Sequence, residues 1–253
     1  MTPDSIRPWI SLNMAMTADG KIATANRKVS SFGSKNDLKR LFELRAESDA
    51  VMSGASTVAE TNADLGSGGR VYQRERLRKG LESENLRIVA SGRASLDPRS
   101  RLFQCKGGQI LVLTTAHAPR DRRSALIDAG AILHVSPGKE IDWKSALNWM
   151  HSHWKVRRLH CEGGAELNDS LFRKGWIDEI HLTLCPWIVG GRVAPTLSEG
   201  KGFPALKDAE AYRYHRIVQK GNEVFLTLRR CQPNQGTHED TGRRSRYCTC
   251  RAR

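Results

Sequence analysis

Aromatic side chains are scarce in this chain, at 6% of 253 residues. That scarcity argues against a surface for single-stranded nucleic acid, which needs stacking platforms among its basic residues. Long apolar runs are missing as well, and none approaches the ~20 residues of a membrane-spanning helix. Met1 to Trp9 lacks the apolar stretch of a cleavable leader, so a cytoplasmic location is expected. Cysteine is present without a pattern. Cys105, Cys161, Cys185 and Cys231 are scattered and do not read as a disulfide framework. Cys248 and Cys250 have no histidine at metal spacing, and no metal is expected. The zinc-deaminase pattern is absent too, because His238 and Glu239 are adjacent and a single residue separates Cys248 from Cys250.

Carboxylates are outnumbered, 27 against 41 basic residues, for a net charge of +14. Basic residues fall in helical segments, at Lys35, Lys39, Arg40 and Arg45 and again at Arg74, Arg76, Arg78 and Lys79. Such a field attracts phosphorylated small molecules. A solvated surface without a binding role accounts for the same charges.

What is present alternates between strand and helix patterns, which points to one α/β domain. Residues 9–16 read as a first strand, and Asp19-Gly20 turns the chain. Ser34 caps a helix carrying Leu38, Leu41, Phe42 and Leu44, with an acidic first turn ending at Asp37. Residues 50–53 form a short buried strand, and Gly54 opens a helical turn. The 61–85 stretch is polar, with Gly66, Gly68 and Gly69 marking a loop. Strands are expected over 87–90, 109–114, 131–135, 158–161 and 180–184. Helices are expected over 121–128, 143–153 and 164–174, the last closed by Gly175. Residues 212–219 and 224–229 pair as an antiparallel hairpin. Residues 231–253 have the composition of a disordered basic tail behind a domain of residues 1–230.

One segment carries chemistry. In Leu159-His160-Cys161-Glu162-Gly163-Gly164-Ala165-Glu166-Leu167-Asn168, an apolar run ends in a carboxylate, two glycines and a helix start. The first amides of that helix have no partners within it and suit a phosphate. Glu162 stands at the strand's end, where α/β sheets bind ligands.

Seven blocks then follow in order. They are Ala15-Met-Thr-Ala-Asp-Gly-Lys-Ile-Ala23, Leu44-Arg-Ala46, Asp49-Ala-Val-Met-Ser-Gly-Ala-Ser-Thr-Val58, Arg87-Ile-Val-Ala-Ser-Gly92, Glu162-Gly-Gly164, Trp176-Ile-Asp-Glu-Ile180 and Pro186-Trp-Ile-Val-Gly-Gly191. From Trp9 to Arg229 the chain resembles the reductase domain of riboflavin biosynthesis, the RibD C-terminal type with a dihydrofolate-reductase-like fold. The resemblance implies a three-layer α/β/α domain, its mixed, mostly parallel sheet ending in an antiparallel hairpin. It also implies a homodimer, NADPH as cofactor and a ribosylaminopyrimidine 5′-phosphate as substrate, whose ribosyl group is reduced to ribityl. Hydride delivery to C1′ relies on positioning, so no acid–base pair is assigned as catalytic.

By the same resemblance, Ala15 lies beside the nicotinamide, and Thr57 and Thr61 bind cofactor. Ser91, Gly92 and Arg93 hold the 2′-phosphate, while Gly164, Ala165, Glu166 and Leu167 meet the pyrophosphate. Arg45 is implied as a phosphate clamp and Glu162 as acceptor for ribose hydroxyls or pyrimidine amino groups, with Asn62 and Leu65 as substrate contacts. Each has a plainer rival, such as an exposed helix arginine for Arg45 or loop polarity for Ser91 and Arg93.

The chain also departs from the family. Thr61-Asn-Ala-Asp-Leu65 replaces Asp-Asp/Asn-Pro-x-Leu, and Gly68 stands where an arginine is frequent, with Arg70 nearby. Ser31 replaces a frequent aromatic residue. Asn13 replaces the lysine of bifunctional members and is similar to stand-alone archaeal-type reductases, which act on the 2,5-diamino pyrimidinone. The deaminated and 2,5-diamino substrates both stay open. Two other readings remain. A pterin reductase would want a carboxylate on the first long helix facing the ring, and Glu43 and Glu47 read as surface residues. A non-enzymatic RNA-binding role would rest on the basic tail.

Overall fold

The computed structural model describes residues 7–27 and 32–231. Ser31 and the tail beyond Cys231 lie outside the described residues. Strands β1 (Trp9–Thr17), β2 (Ala50–Gly54), β3 (Leu86–Ala90), β4 (Ile110–Thr115), β5 (Ala131–Ser136), β6 (Arg158–Cys161), β7 (Glu179–Cys185), β8 (Tyr212–Lys220) and β9 (Glu223–Arg230) form a nine-stranded sheet. Its order is β5-β4-β3-β2-β6-β1-β7-β9-β8. The pairings from β5 across to β7 are parallel. Pairings of β9 with β7 and of β8 with β9 are antiparallel, so the sheet is mixed and ends in a hairpin, as expected.

Helices α1 (Lys35–Arg45), α2 (Ala55–Thr61), α3 (Arg70–Arg78), α4 (Arg101–Gln104), α5 (Arg120–Asp128), α6 (Trp143–Trp154) and α7 (Ala165–Phe172) fill the connections. Among the described residues no helix is long and apolar enough to cross a membrane. On one face Ile10, Leu12, Met52, Ile88, Leu111 and Leu159 pack with Leu147 and Met150 of α6 and Leu171 of α7. On the other, Val51, Val89 and Val112 meet Val58 of α2, Leu102 of α4 and Leu126 of α5. Two helical layers thus sandwich the sheet.

That second face changes character halfway across. On β6, β1, β7 and β9 it presents Ser11, Asn13, His160, Glu179, His181, Thr183 and Thr227, none more than 7% exposed. Register aligns them: Ser11 faces His160 and Glu179, Asn13 faces His181, and His181 faces Thr227. A polar stripe inside a sheet must find partners, and α1 supplies several. Arg40 donates to His181 Nδ1 and Thr227 Oγ1, and Ser34 donates to the Glu223 carboxylate. Ser34 caps α1 as its sequence indicates, its hydroxyl accepting from the Asn36 amide.

The 61–85 stretch holds both the expected glycine loop and the expected helical segment around Arg74 to Lys79. Gly66 to Gly69 form the loop, and α3 follows, rich in charge and with little apolar periodicity. Its anchor is Arg76, 1% exposed, whose guanidinium donates to the carbonyls of Arg45, Ser48 and Glu82. Those of Arg45 and Ser48 lie at and just past the last turn of α1, where helices leave acceptors unpaired. The expected 164–174 helix is shorter: Gly164 is its N-cap, and the chain leaves through Gly175 at φ +63°.

Arg76→Met should preserve the buried stem and strand the three carbonyls. We expect a loss of about 2–4 kcal/mol in urea denaturation; an unchanged midpoint would show that Arg76 does not clasp α1.

Candidate active site

The end of β6 is shaped by what it must approach. Gly54 at the end of β2 donates its amide to Gly163 O at 2.7 Å, and Ser53 Oγ donates to the same oxygen at 2.9 Å. A Cβ on Gly164 would lie 2.6 Å from Thr57 Oγ1, and one on Gly163 would run into the Met14 methyl. Gly163 also sits at φ +76°, in the region that favours glycine, and the two bare positions let α2 and α7 start side by side. The N-caps Gly54 and Gly164 have no side chain to bond the helix amides. Both first turns border one cleft of about 1200 Å3.

Arg45, at the last turn of α1, and Glu162, just past β6, meet across this cleft. Arg45 Nε and Nη2 donate to Glu162 Oε1 and Oε2 at 2.6 and 2.7 Å, and Nη1 donates to Gly66 O at 2.6 Å. Their side chains are 7% and 12% exposed. Burial opposes ionisation of Glu162, but the charge and hydrogen bonds of Arg45 hold its carboxyl below the ordinary range. Arg45 was expected as a phosphate clamp; here three of its five donors are already engaged by protein oxygens. Each Glu162 oxygen takes one Arg45 donor and keeps a further lone pair for hydroxyls in the cleft.

Beneath the pair, His160 is fully buried, with Nδ1 3.1 Å from Ser11 Oγ and Nε2 3.7 Å from Glu162 Oε1. Burial outweighs the attraction of Glu162 and brings its pKa down to about 4. The ring is neutral at pH 7.

The cleft collects the residues singled out from the sequence. Ala15, Thr57, Thr61, Asn62, Leu65 and Ser91 line it, as do Gly92, Arg93, Gly164, Ala165, Glu166 and Leu167 beside Arg45 and Glu162. Several are already engaged. Ser91 Oγ accepts from the Ser95 amide, Thr61 Oγ1 donates to Thr57 O, and Leu65 is 1% exposed and anchored in the core. Asn62 ends α2 in the left-handed region at φ 50°. Arg93 is exposed at the rim. Gly68 sits at φ +90°, and a Cβ there would strike the Phe42 ring, so the loop cannot hold an arginine at that position.

Asp37 was not among the expected site residues, yet it lines the cleft along with Leu38, Leu41, Phe42 and Arg45. Positions 37, 41 and 45 share one helix face, a spacing visible in the sequence. Glu43 and Glu47 are exposed, as expected, and pair with Lys39 and Lys79. Asn13 also borders the cleft from β1.

Residues 8–220 match the model of the family described as the RibD C-terminal domain. The chain is 32% identical over 221 residues to the 2,5-diamino-6-ribosylamino-4(3H)-pyrimidinone 5′-phosphate reductase of Methanothermobacter thermautotrophicus, covering 87% of this chain and 97% of that one. Its fold is similar to a pyrimidine reductase-like protein from Corynebacterium diphtheriae (TM-score 0.74, 20% identity, 89% and 93% covered). It is also similar to RibD of Acinetobacter baumannii (TM-score 0.73, 19% identity), covering 90% of this chain and 59% of that one.

The buried neutral His160 ties stability to pH. Below about 6.5, its ordinary value, the unfolded chain binds a proton that the fold refuses down to about 4. Stability should fall across that window, by about 2 kcal/mol from pH 7 to 5. Denaturation at both pH values tests this, and His160→Asn should flatten the slope.

Proposed function

The chain belongs to the RibD C-terminal domain family, and on that premise we propose that it reduces the ribosyl group of a ribosylaminopyrimidine 5′-phosphate with NADPH. The observation that carries this reading is the convergence, on one cleft, of the glycine-built start of α7 and the ionised Glu162. The relative from Methanothermobacter thermautotrophicus is named for the 2,5-diamino compound, which favours that substrate over its deaminated form.

The residues present fit such a cofactor. Gly163 and Gly164 leave the backbone bare where a Cβ would collide with Met14 or Thr57. The uncapped amides of Ala165, Glu166 and Leu167 suit a pyrophosphate. At the rim, Ser91, Gly92 and Arg93 would take the 2′-phosphate, Arg93 supplying a fixed positive charge. Thr57 and Thr61 border the path between. Ala15, small and on β1, leaves room for the nicotinamide ring. When bound, NADPH supplies the hydride; the chain's own task is to hold the sugar.

Glu162 accepts hydrogen bonds from ribose hydroxyls while Arg45 keeps it ionised and fixed. Asn62 and Leu65 bound the substrate on the loop side. The reaction adds a hydride to C1′ and a proton to the ring oxygen it releases, opening the sugar to a ribityl chain. Precise placement in a water-poor cleft accounts for most of the rate. We also infer a homodimer in the cytoplasm. Exposed Tyr214 and Ile217 on the outer strand β8 support an interface there, and a phosphorylated substrate stays where it is made.

NADPH oxidation on the two pyrimidine phosphates tests the reading. Glu162→Gln should lower kcat/KM about 100-fold or more; full turnover would remove Glu162 from the site. Arg93→Ala should raise KM for NADPH about 10-fold and leave NADH unchanged, and equal effects on both cofactors would move the 2′-phosphate elsewhere.

A further inference from the structure

A sugar phosphate in this cleft needs a cation with donors to spare, and Arg45 has few. Its Nε and Nη2 close on Glu162, and its Nη1 donates to Gly66 O. Four other arginines line the same cleft: Arg27, Arg93, Arg101 and Arg173. Arg173 is bonded to the buried Asp169 at 2.9 Å, and Arg93 stands at the rim past β3. Arg27 follows β1, on the wall it shares with Ile22 and Ala23. Among the described residues, Arg101 alone of the four bonds to the 62–67 loop that Arg45 also holds. Its neighbour Leu102 is fully buried in the second-face core, so the base of the Arg101 side chain is fixed.

Arg101 reaches that loop loosely. Its Nη2 donates to Asp64 Oδ2 at 3.2 Å, the Cys105 thiol, a weak acceptor, lies beside it, and the side chain stays 56% exposed. The other Asp64 oxygen accepts from the Gly66 amide at 2.9 Å, and Gly66 O takes the Arg45 donor. Asp64 to Gly66 therefore links the two arginines through three residues. Between them Leu65 sits at φ 54° with its side chain 1% exposed, which pins the loop in place. The Asp64 charge bears on both Arg45 and Glu162, so Arg101 comes to the border of the site where the sugar is held.

We propose that Arg101 binds the 5′-phosphate of the substrate and so distinguishes a nucleotide from a nucleoside. The inference rests on the reductase reading for the sugar and names the residue that reads the phosphate. The phosphate hangs one exocyclic carbon from the ribose ring, so a sugar gripped at Glu162 leaves it within the cleft. Arg45 is spent on Glu162, and Arg70 at the start of α3 is not on the cleft wall among the described residues. A guanidinium presents parallel N–H donors that match two phosphate oxygens. A carboxylate held by one 3.2 Å bond at an exposed site is a weak competitor for it. Asp64 steadies the Arg101 guanidinium, and the phosphate takes its free donors.

Calorimetric titration of the full chain, with parallel assays of NADPH oxidation, tests the assignment. The probes are the 2,5-diamino ribosylaminopyrimidinone 5′-phosphate and the same compound without its phosphate. The wild type should bind the phosphorylated form about 10-fold or more tightly than the other. Arg101→Ala should erase most of that gap and leave affinity for the dephosphorylated form, KM for NADPH and thermal midpoint unchanged. Arg27→Ala should leave the gap as it is. A gap that survives Arg101→Ala, or one that closes in Arg27→Ala instead, would overturn the inference while the reductase reading stood. An Arg101→Ala variant that loses NADPH affinity with the gap intact would move Arg101 to the cofactor and overturn it too. Phosphate-dependent binding that needs Arg101 but brings no NADPH oxidation would sink the reductase reading and leave the phosphate site. Binding of neither probe would end both.

Discussion

The Arg45–Glu162 pair is the constraint on which the site depends. A carboxylate this buried survives as an anion only with a cation and good geometry beside it, and both of its oxygens meet the Arg45 fork. The third Arg45 contact, to Gly66 O, draws the 62–67 loop toward the same point. Arg76 then holds the main chain of Arg45 from the other side. One ion pair thus joins α1, the loop before α3 and the end of β6. Removing either partner would leave a buried charge alone, costing far more than the pair contributes to stability.

The second face of the sheet shows why the cleft lies where it does. From β5 to β2 that face is apolar and covered by helices. From β6 to β9 it is polar and only partly matched by α1. Packing alone would fill such a stripe with valine and leucine. Its serine, asparagine, histidines and threonines instead form a buried polar surface, hydrogen-bonded only in part, around an opening. His160 remains neutral because it has no room for its proton's hydration.

Much of this was legible in the sequence, and the exceptions share a cause. Period-two strands, the Ser34 cap, the glycine turn after Glu162 and the closing hairpin are local signals, and all appear. The α3 helix was legible only as a basic helical segment at Arg74 to Lys79; its anchor was not, because Arg76 bonds to remote carbonyls rather than joining an apolar stripe. The mutual bond of Arg45 and Glu162 spans 117 positions and has no local trace. Asp37 was visible as part of a helix's acidic first turn, where an ordinary dipole argument accounts for it. Only the neighbouring strands show that it faces inward. Gly68 is the reverse case: a departure from the family in sequence becomes a packing requirement once Phe42 is in place.

Because α1 carries Arg45 at one end and Asp37 near the other, the helix works as a ruler. A rod of fixed pitch allows no independent adjustment of its two marks. Any drift in its tilt would shift the ion pair with Glu162 and the cleft wall at Asp37 together, so a single element sets both.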